Sequence, residues 1–459
     1  MSFDFLKNHK NIHFIGIGGI SMSGLAEIML NQGFNVSGSD RNSSKITDKL
    51  SKLGAKIYIG QDSRNIKDAD LVVYTAAISE DNPELSYCKF NNIPLMNRAE
   101  FLGNVMKGHK YDIAVSGTHG KTTTTSMISH ILMAEEVDPT ILVGAELDII
   151  NGNVRAGLSE YFLTEACEYK ESFLSFYPYI GIILNIDEDH LDFYRDINHI
   201  QDTFLKFSNL IPENGYLVGN FDDFRIREIS QNLKCNVFSY GLEHGDLRAK
   251  NVVFNNRGCG TFDVYLKNDK LFSISLNVPG THNVSNSLSA IATALILNIS
   301  HDSIIEGLFE FGGARRRFEF KGEVDNIVVI DDYAHHPTEI KTSIESAKRQ
   351  TKGRIFAVFQ PHTYTRTDIL FDEFSKCFTG VDDLVIADIY AAREIDTGKV
   401  SSQMLSKAIY NTGVKCQNIH TFEDIVKYLK ENTKPNDIVI TIGAGDVNRV
   451  GEMFLAELS

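Results

Sequence analysis

The sequence lacks the features of a secreted, membrane-spanning or nucleic-acid-binding protein. Its six cysteines are scattered without a C-x-x-C pair, so neither a zinc knuckle nor a disulfide framework is indicated. No apolar run approaches the roughly 18 residues of a membrane helix. The formal charge is −15 and no lysine- or arginine-rich stripe is present, which disfavours nucleic acid as a partner. These absences predict a cytoplasmic protein with reduced thiols, no nucleic-acid partner and no membrane insertion.

The chain is too long for a single core. With 459 residues, 43% hydrophobic and 23% charged, it is expected to fold into roughly two to four domains. Short apolar runs alternate with helical periodicity in three successive regions, a pattern typical of βαβ units. We therefore predict an α/β protein with three domains, at residues 1–108, 109–314 and 315–459. The central sheet is expected to be mixed, turning more antiparallel around residues 236–278, and the oligomeric state stays open.

The stretch SGTHGKTTTTS, residues 116–126, predicts a phosphate-binding loop. A strand ends at Ser116, glycines let amides face inward, and a helix opening at Lys121 has an N-terminal dipole that favours an anion. The strict P-loop pattern wants a glycine where Val115 stands, so this loop must be tighter than the common one. Lys121 would reach the terminal phosphates of ATP, and a threonine hydroxyl would reach Mg²⁺. The predicted ATP-binding residues of the loop are Gly117, Thr118, His119, Gly120, Lys121, Thr122 and Thr123.

Acidic residues follow two predicted strands. Glu165 ends the strand YFLTEA, and DEDHLD, residues 187–192, follows the strand IGIILNI. Ligands of open α/β sheets bind beyond the carboxyl ends of strands, so both groups can face the phosphates and offer Mg²⁺ the oxygen ligands it prefers. The alternative is that each acid belongs to a solvated loop or caps the next helix. His190 alone is a weak metal ligand, since imidazole is softer than Mg²⁺ prefers.

The N-terminal loop GIGGIS resembles the dinucleotide-binding fingerprint. Ser21 stands where the third glycine is usual, and Asp40 closes the next strand. The pattern supports a nucleotide diphosphate over a helix N-terminus, with a ribose contact, and says nothing about nicotinamide. A tight turn needed only for packing is the alternative. The loop residues concerned are Gly16, Gly18, Gly19 and Ser21.

The stretch PGTHNVSNSLSA places three polar side chains at the mouth of a helix. His282, Asn283 and Asn286 can hydrogen-bond a base edge, although amides at such positions are also good helix caps. The run RRR at residues 315–317 is either a solvated face or a phosphate contact near a domain hinge.

Two stretches of the last region combine a strand end with polar residues. DDYAHHPTEI puts Asp332, Tyr333 and His335 between a strand and a helix that Pro337 can start. QPHTYTRT places Arg366 after another strand, where its guanidinium could clamp a carboxylate in bidentate fashion.

Taken together, these stretches resemble the Mur ligase family. The matching pieces span nearly the whole chain in the family's order: GIGGISMSGLAE, SGSD, GTHGKTTTT, NIDEDHLD, GTHNVSN, RRRFE, DDYAHHPTEI and QPHTYTRT. The family's phosphate loop reads G-T-x-G-K-T without the earlier glycine, so Val115 is normal for this kind of cradle. The resemblance implies a Rossmann-like N-terminal domain for the UDP-sugar, a central P-loop ATPase domain and a Rossmann-like C-terminal domain that binds the amino acid.

The activity that the resemblance implies is ATP-dependent ligation of L-alanine to UDP-N-acetylmuramate through an acyl phosphate. Alternatives within the family are a murein-recycling ligase that attaches an L-Ala-containing peptide, or an enzyme that adds a later amino acid. A nucleotide-binding sensor or a nicotinamide oxidoreductase built on GIGGIS is the rival of another class. A second phosphate loop with its acids has no purpose in a dehydrogenase, which favours the ligase.

The resemblance also implies roles for residues at matching positions. Lys121 contacts the terminal phosphates of ATP. The residues expected at the Mg²⁺ positions are Thr122, Glu165 and His190. Beyond the loop, ATP is received by His282, Asn283, Asn286, Arg316, Arg317 and Asp332. The UDP-sugar is held by Gly16, Gly18, Gly19, Ser21, Asp40 and Thr75. The incoming alanine faces Tyr333, His335 and Arg366, and the catalytic set is Lys121, His190, His335 and Arg366.

Two positions depart from the family's pattern. Many relatives read E-A-D-E-S where this chain has EACEY, so Cys167 replaces an acidic residue close to the metal site. Thr363 stands where many have arginine, which leaves Arg366 as the expected partner of the amino-acid carboxylate. Neither change removes a group that the chemistry requires.

Overall fold

The computed structural model describes residues 4–75, 78–191, 193–392 and 394–458, without the side chain of Asp4. Asp192, the last residue of the DEDHLD stretch, lies outside these ranges. No helix in the described residues is both long and apolar enough to cross a bilayer.

The first hundred residues form a parallel sheet of five strands in the order β3-β2-β1-β4-β5. Each strand is a short apolar run, and the segments between strands are helices or tight turns, which is the βαβ arrangement that the sequence predicts. The elements are β1 (Asn11–Ile15), α1 (Ile20–Asn31), β2 (Asn35–Asp40), α2 (Lys45–Lys52), β3 (Lys56–Ile59), β4 (Leu71–Tyr74), α3 (Pro83–Asn91), β5 (Leu95–Asn97) and α4 (Arg98–Met106).

The middle of the chain forms a mixed sheet of ten strands in the order β15-β14-β13-β12-β11-β10-β6-β9-β7-β8. Its elements are β6 (Tyr111–Ser116), α5 (Lys121–Ala134), β7 (Thr140–Leu147), β8 (Gly152–Arg155), β9 (Tyr161–Glu165), β10 (Ile180–Ile183), α6 (Ile197–Ser208), β11 (Tyr216–Asn220), α7 (Phe224–Ile229), β12 (Asn236–Gly241), β13 (Leu247–Phe254), β14 (Cys259–Leu266), β15 (Asp269–Pro279), α8 (Thr281–Ile296) and α9 (His301–Glu310). An irregular 3-10 segment, Tyr169–Ser175, connects β9 to β10.

The prediction that this sheet turns more antiparallel around residues 236–278 is confirmed for β14 and β15 and wrong for β12. This strand runs parallel to β11, with Asn236 opposite Tyr216. The helix α7 provides the crossover that a parallel neighbour requires. Antiparallel pairing on this side of the sheet is found farther along the chain, where β14 faces β15 and Phe262 lies opposite Ile274.

The last region forms a sheet of six strands in the order β16-β17-β21-β18-β19-β20. Only β16 pairs in the antiparallel sense among the described strands of this sheet. The elements are β16 (Glu319–Val324), β17 (Ile327–Asp332), α10 (Pro337–Gln350), β18 (Ile355–Phe359), α11 (Tyr364–Ile369), α12 (Phe371–Lys376), β19 (Asp383–Ile386), α13 (Ser402–Tyr410), β20 (Cys416–Asn418), α14 (Phe422–Asn432), β21 (Ile438–Ile442) and α15 (Asn448–Leu458).

Helices cover both faces of this third sheet. Successive residues of β17 alternate between two cores: Val329 packs in a cluster with the α14 residue Leu429, and Ile330 packs in a cluster with the α10 residue Ile344. Strands buried on both faces read as continuous apolar runs, as NIVVI and DIVITI do. The predicted α/β class with three sheets is confirmed.

The chain divides into two compact units. The first contains Met1–Ile186, Gln201–Arg248 and Ser287–Gly307, and the second contains Asp187–Ile200, Ala249–Asn286 and Leu308–Ser459. The N-terminal sheet and the strands β6 to β12 thus belong to the first unit, and the third sheet belongs to the second. The three domain boundaries given by the sequence stay predictions.

Two glycines allow close helix packing within the first unit. A side chain at Gly24 of α1 would collide with Leu142 of β7, and one at Gly103 of α4 would collide with the carbonyl oxygen of Ser175. Asn153 also donates to the carbonyl of Ile20 at 3.0 Å. The helices α1 and α4 are therefore fixed directly against the central part of the chain.

Candidate active site

The phosphate loop connects β6 to α5 as the sequence predicts. Gly117 has a φ of +134° and Gly120, at the N-cap of α5, a φ of +86°. Both angles are costly for residues with a Cβ. A Cβ at Gly117 would also lie 2.9 Å from the Cβ of Leu184, so this glycine is required for space as well. The loop amides consequently gather at the start of the helix, where its dipole favours an anion.

Asn185, which follows β10, holds this loop through hydrogen bonds. Its side-chain oxygen accepts from the amide of His119 at 2.8 Å, and its side-chain nitrogen donates to the carbonyl of His119 at 3.0 Å. The amide of Thr118 donates to the backbone oxygen of Asn185 at 3.2 Å. Sequence reasoning did not select Asn185; its position directly after the strand IGIIL was the available signal.

Lys121 turns its ammonium group back into the loop. It donates to the carbonyl of Thr118 at 3.0 Å and to the carboxylate of Glu168 at 3.1 Å. Burial by itself opposes the charged ammonium, but Glu168 outweighs it and raises the pKa of Lys121. Glu168 is only 2% exposed. Glu168, part of EACEY, was not predicted as a site residue, because a lysine partner separated by 47 positions cannot be read from sequence spacing.

Thr122 and Glu165 offer the oxygen atoms that a Mg²⁺ ion prefers. Thr122 is buried in the first turn of α5, and Glu165 ends β9. One oxygen of Glu165 accepts from the amide of Gly144 at 2.8 Å, which orients the carboxylate. Hydroxyl and carboxylate oxygens therefore fit this hard cation. Burial raises the pKa of the nearby Cys167 thiol to about 11, so at neutral pH it adds no negative charge to the site.

The GIGGIS loop is closed by two residues of neighbouring strands. Gly16 has a φ of +81°, and a Cβ there would lie 2.8 Å from the methyl group of Thr75. Asp40 accepts from the amide of Gly18 at 2.9 Å. The Gly18 amide, which is predicted to bind the sugar diphosphate, is therefore already hydrogen-bonded to this carboxylate. Gly19 is the N-cap of α1, as expected for an anion-binding turn.

Ser21, in the first turn of α1, accepts a hydrogen bond from Arg98 at 3.0 Å. Sequence reasoning missed Arg98. The available signal was its position at the start of a helix, where a cation opposes the helix dipole.

The second unit contains the other catalytic candidates. Arg366 pairs with Asp189 at 3.2 Å and approaches the Nδ1 atom of His362 at 3.4 Å. Burial by itself would raise the pKa of Asp189, but His190 and Arg366 hold it well below its usual range. His190 has a φ of +54°, and its amide donates to Asp189 at 2.7 Å. The structure thus brings His190 and Arg366 together around Asp189, an acid to which the sequence analysis gave no individual role.

His335 lies close to the same acid. Its electrostatic interaction with Asp189 and Arg366 places it beside this pair, and its Nδ1 atom is 3.0 Å from the carbonyl of Tyr333. Its amide donates to Glu339 at 3.0 Å. Burial lowers the pKa of His335 to about 4, so its imidazole is neutral near pH 7.

The predicted ATP-binding residue Asp332 is 7% exposed. Its carboxylate accepts from the amide of Ala334 at 3.1 Å and from the hydroxyl of Ser343. Burial raises the pKa of Asp332 to about 6. Much of its hydrogen-bonding capacity is therefore used within the second unit.

The two predicted base-binding amides at the start of α8 are also bonded to protein. Asn283 donates to the carbonyl of Pro279 at 2.7 Å, and Asn286 donates to the side-chain oxygen of Asn283 at 3.3 Å. These bonds attach the helix to the preceding strand. His282 is exposed and lies over Gly280, whose φ of +100° and lack of a side chain make room for the ring.

The adjacent arginines Arg316 and Arg317 have different surroundings. Arg316 donates to the carbonyls of Gly443 and Gly445 at 2.7 and 2.8 Å and pairs with Asp331 at 3.0 Å. Its guanidinium is thus committed to holding the loop after β21. Arg317 lies 3.7 Å from Glu339 and keeps 29% of its side chain exposed. Arg317 is therefore the better placed of the two to meet a ligand.

Together, a phosphate loop in the central sheet, oxygen ligands at strand ends and flanking Rossmann-like sheets define a nucleotide-binding α/β protein. Three family models match successive parts of the chain. They are "Mur ligase family, catalytic domain" over residues 11–110, "Mur ligase middle domain" over residues 115–294 and "Mur ligase, glutamate ligase domain" over residues 316–445. The chain belongs to the Mur ligase family.

Individual relatives agree with this membership. The chain is 64% identical over 459 residues to a UDP-N-acetylmuramate–L-alanine ligase of Clostridium acetobutylicum, covering 100% of both proteins. It is 64% identical over 456 residues to the ligase of the same name from Clostridium novyi, covering 99% of both. Among solved structures it is similar to a UDP-N-acetylmuramate-alanine ligase of Thermotoga maritima, with a TM-score of 0.82, 29% identity, and coverage of 98% of this chain and 99% of that one.

Proposed function

We propose that this protein joins L-alanine to UDP-N-acetylmuramate at the expense of ATP, in the synthesis of peptidoglycan precursors. The observation that carries the proposal is the 64% identity to L-alanine ligases over the full length of the chain. The phosphate loop, with a buried lysine and oxygen ligands beside it, supports the use of ATP. The murein peptide ligase of Psychrobacter arcticus is also similar, with a TM-score of 0.71 and 25% identity over 98% of each chain, and it motivates the control substrate below.

The first half reaction brings two anions together. The carboxylate oxygen of the sugar bonds to the γ-phosphorus of ATP, the bond to the bridging oxygen breaks, and ADP leaves. Two unit anions about 4 Å apart repel by roughly 4 kcal/mol at an effective dielectric near 20. The Lys121 ammonium and the loop amides counter this repulsion at the oxygens of the γ-phosphate. Thr122 and Glu165 would hold Mg²⁺, which would supply further charge neutralisation and orientation.

The second half reaction joins the amine to the activated carbonyl. The ammonium of L-alanine loses one proton, and its nitrogen bonds to the acyl carbon. The bond from that carbon to the phosphate oxygen breaks, inorganic phosphate leaves, and the nitrogen loses a second proton. Arg366 is proposed to bind the alanine carboxylate, which requires that its bond to Asp189 be shared or exchanged. His335 and His190 are the candidates for accepting a proton; His335 is neutral near pH 7, and its lowered pKa makes it a weak base. The Tyr333 ring contacts His335 on one side and lies under Arg316 and Arg317, and it is proposed to border the amino acid.

The remaining assignments follow the same units. We propose that adenine binds to Asn283, Asn286 and His282. Arg317 is proposed to bind the phosphates, and Asp332 the ribose. In the first unit the amides around Gly18, Gly19 and Ser21 are proposed to hold the diphosphate, with Asp40 near the uridine. Asp40 must then give up the amide of Gly18 when the diphosphate binds.

The test is phosphate release by purified protein with ATP, Mg²⁺ and UDP-N-acetylmuramate. L-alanine is compared with an L-Ala-D-Glu-containing peptide, and we expect turnover with alanine to be much faster. Preference for the peptide would reject the proposal in favour of a recycling ligase, and no amine-dependent release with either would reject a ligase.

Lys121→Ala serves as the mechanistic control for the same assay. It is expected to lower kcat by more than tenfold, which corresponds to at least about 1.4 kcal/mol of lost transition-state stabilisation. Lys45→Ala, at an exposed position of α2, is the matched variant and should retain activity. Retention of more than a tenth of the wild-type kcat by Lys121→Ala would contradict the role of this ammonium.

A further inference from the structure

Arg98 has no acidic partner among the described residues of the first unit. It donates to the hydroxyl of Ser21 at 3.0 Å, and none of the described carboxylates forms an ion pair with it. Arg98 is partly buried, and this burial lowers its pKa because it removes part of the hydration of the charged guanidinium. A desolvated guanidinium is normally paired with a carboxylate or a phosphate. The geometry therefore leaves a cation that lacks its anion.

The position of Arg98 is fixed by the packing of α4. Gly103, one and a half turns further along this helix, lies directly against the carbonyl of Ser175, with no space for a side chain. The N-terminus of α4 also forms a capping box between Asn97 and Glu100. Arg98 is thus held by a rigid helix and not by a mobile loop, which is the arrangement that a binding site needs.

Arg98 lies between the two candidate binding loops of the first unit. On one side its partner Ser21 belongs to the loop assigned to the UDP-sugar. On the other side it interacts electrostatically with Cys167, the residue before the Glu168 that holds Lys121. The Cys167 side chain also influences the charge on Lys121. Because this thiol is neutral near pH 7, it cannot serve as the missing anion.

We propose that Arg98 binds the carboxylate of UDP-N-acetylmuramate and holds it for attack on the phosphate that Lys121 contacts. The inference rests on the proposed function and adds a substrate-binding residue to it. The reasons are the lone guanidinium, its fixed helix and its position between the sugar loop and the lysine. The diphosphate of the sugar nucleotide is the other anion that such a group could bind, and the experiment separates the two.

The experiment measures binding by calorimetry without ATP or alanine, using two sugar nucleotides. UDP-N-acetylglucosamine has the same diphosphate but lacks the lactyl carboxylate. For Arg98→Met we expect the Kd of UDP-N-acetylmuramate to rise at least tenfold, while the Kd of UDP-N-acetylglucosamine changes less than twofold. Arg64→Met is the matched control, since Arg64 is an exposed arginine of the 3-10 segment Ser63–Ile66 that pairs with Asp62, and it should leave both values unchanged.

Three outcomes would overturn the inference. Equal losses for both sugar nucleotides would assign Arg98 to the diphosphate, and no loss for either would show that it binds no part of the sugar. If Arg98→Met does not fold, Arg98→Lys replaces it, since lysine keeps the charge but loses the bidentate geometry. This variant should raise the Kd of UDP-N-acetylmuramate about threefold or more and leave the Kd of UDP-N-acetylglucosamine unchanged. A larger rise for UDP-N-acetylglucosamine would contradict the inference. If the wild-type protein binds UDP-N-acetylmuramate but releases no phosphate with ATP, Mg²⁺ and L-alanine, the proposed function is wrong. The Kd values of the two sugar nucleotides would still test the role of Arg98.

Discussion

Glu168 accepts a hydrogen bond from the Lys121 ammonium across a distance of 3.1 Å, and both side chains are largely buried. In the absence of a nucleotide, this carboxylate supplies the negative charge that the lysine would otherwise lack. A phosphate that reaches the loop therefore meets a cation that is already paired. The pair keeps Lys121 charged and directed into the loop.

Glu168→Gln should destabilise the protein when no nucleotide is present. Removing one partner of a buried pair leaves the other charge uncompensated and costs roughly 3 kcal/mol or more. Urea denaturation would measure this loss, and Mg-ATP should restore more stability to the variant than it adds to the wild type, because the phosphates replace the lost anion. Glu171→Gln is the control, since the Lys206–Glu171 pair is 55% and 32% exposed and should contribute about 1 kcal/mol or less. Equal losses for the two variants would contradict the importance of the buried pair.

Asp112 should make the protein less stable as the pH rises. It is 5% exposed, its Oδ1 atom has no hydrogen-bond partner in the described structure, and burial raises its pKa to about 8. An unfolded aspartate has a pKa near 3.9, so between about pH 4 and pH 8 the folded state holds a proton that the unfolded state has lost. The contribution of Asp112 to stability therefore falls by up to about 1.4 kcal/mol per pH unit in this window.

The measurement is urea denaturation of wild type and Asp112→Asn at pH 5 and pH 7. The variant should gain about 2 to 3 kcal/mol relative to wild type between these two values, because asparagine cannot lose a proton. Asp202→Asn, at an exposed position of α6, controls for general effects of charge. A difference between wild type and Asp112→Asn that does not vary with pH would show that Asp112 is ionised in the folded protein.

Replacement of the two adjacent arginines should change different properties, stability for Arg316 and ATP binding for Arg317. Arg316→Met removes donors from two loop carbonyls and leaves the buried Asp331 without its ion-pair partner, so we expect a loss of roughly 3 kcal/mol in stability. Arg317→Met should change stability by less than about 1 kcal/mol but weaken ATP binding. Thermal denaturation and the KM for ATP distinguish the two, and a reversed pattern would assign the phosphate contact to Arg316.

Gly103→Ala should disturb both stability and sugar binding. The added methyl group would strike the carbonyl of Ser175, a backbone atom that cannot rotate away, and overpacking of this kind costs about 1 to 3 kcal/mol. Because α4 carries Arg98, the KM for UDP-N-acetylmuramate should also rise. Gly312→Ala, where no atom lies within 4 Å of the added methyl group, should change neither quantity. A neutral Gly103→Ala variant would show that α4 can shift without consequence.

Local elements of the site could be predicted because their signals are short. The strand, glycine loop and helix around Lys121 lie within 24 residues, Tyr111–Ala134, and each is specified by apolar patterning or by glycine's access to positive φ. The same reasoning located Glu165 and the starts of α8 and α10. It was wrong about β12, because periodicity identifies a strand but not the direction of its neighbour.

The partners of these elements could not be predicted in the same way. Asn185, Glu168, Asp189 and Arg98 are ordinary polar residues in sequence, and each acquires its role from a contact with a residue 47 to 177 positions away. The two arginines at 316 and 317 could not be separated either, since only the fold shows which guanidinium the loop after β21 occupies.

The sequence by itself determined the α/β class, the three successive sheets, the phosphate loop and the family, because apolar periodicity and glycine-bearing motifs act over a few residues. Tertiary structure alone decided which charges are paired, which carboxyls are held protonated by burial and which cation lacks an anion. These properties depend on the distance between groups and on their removal from water, and both arise only when distant segments of the chain pack together.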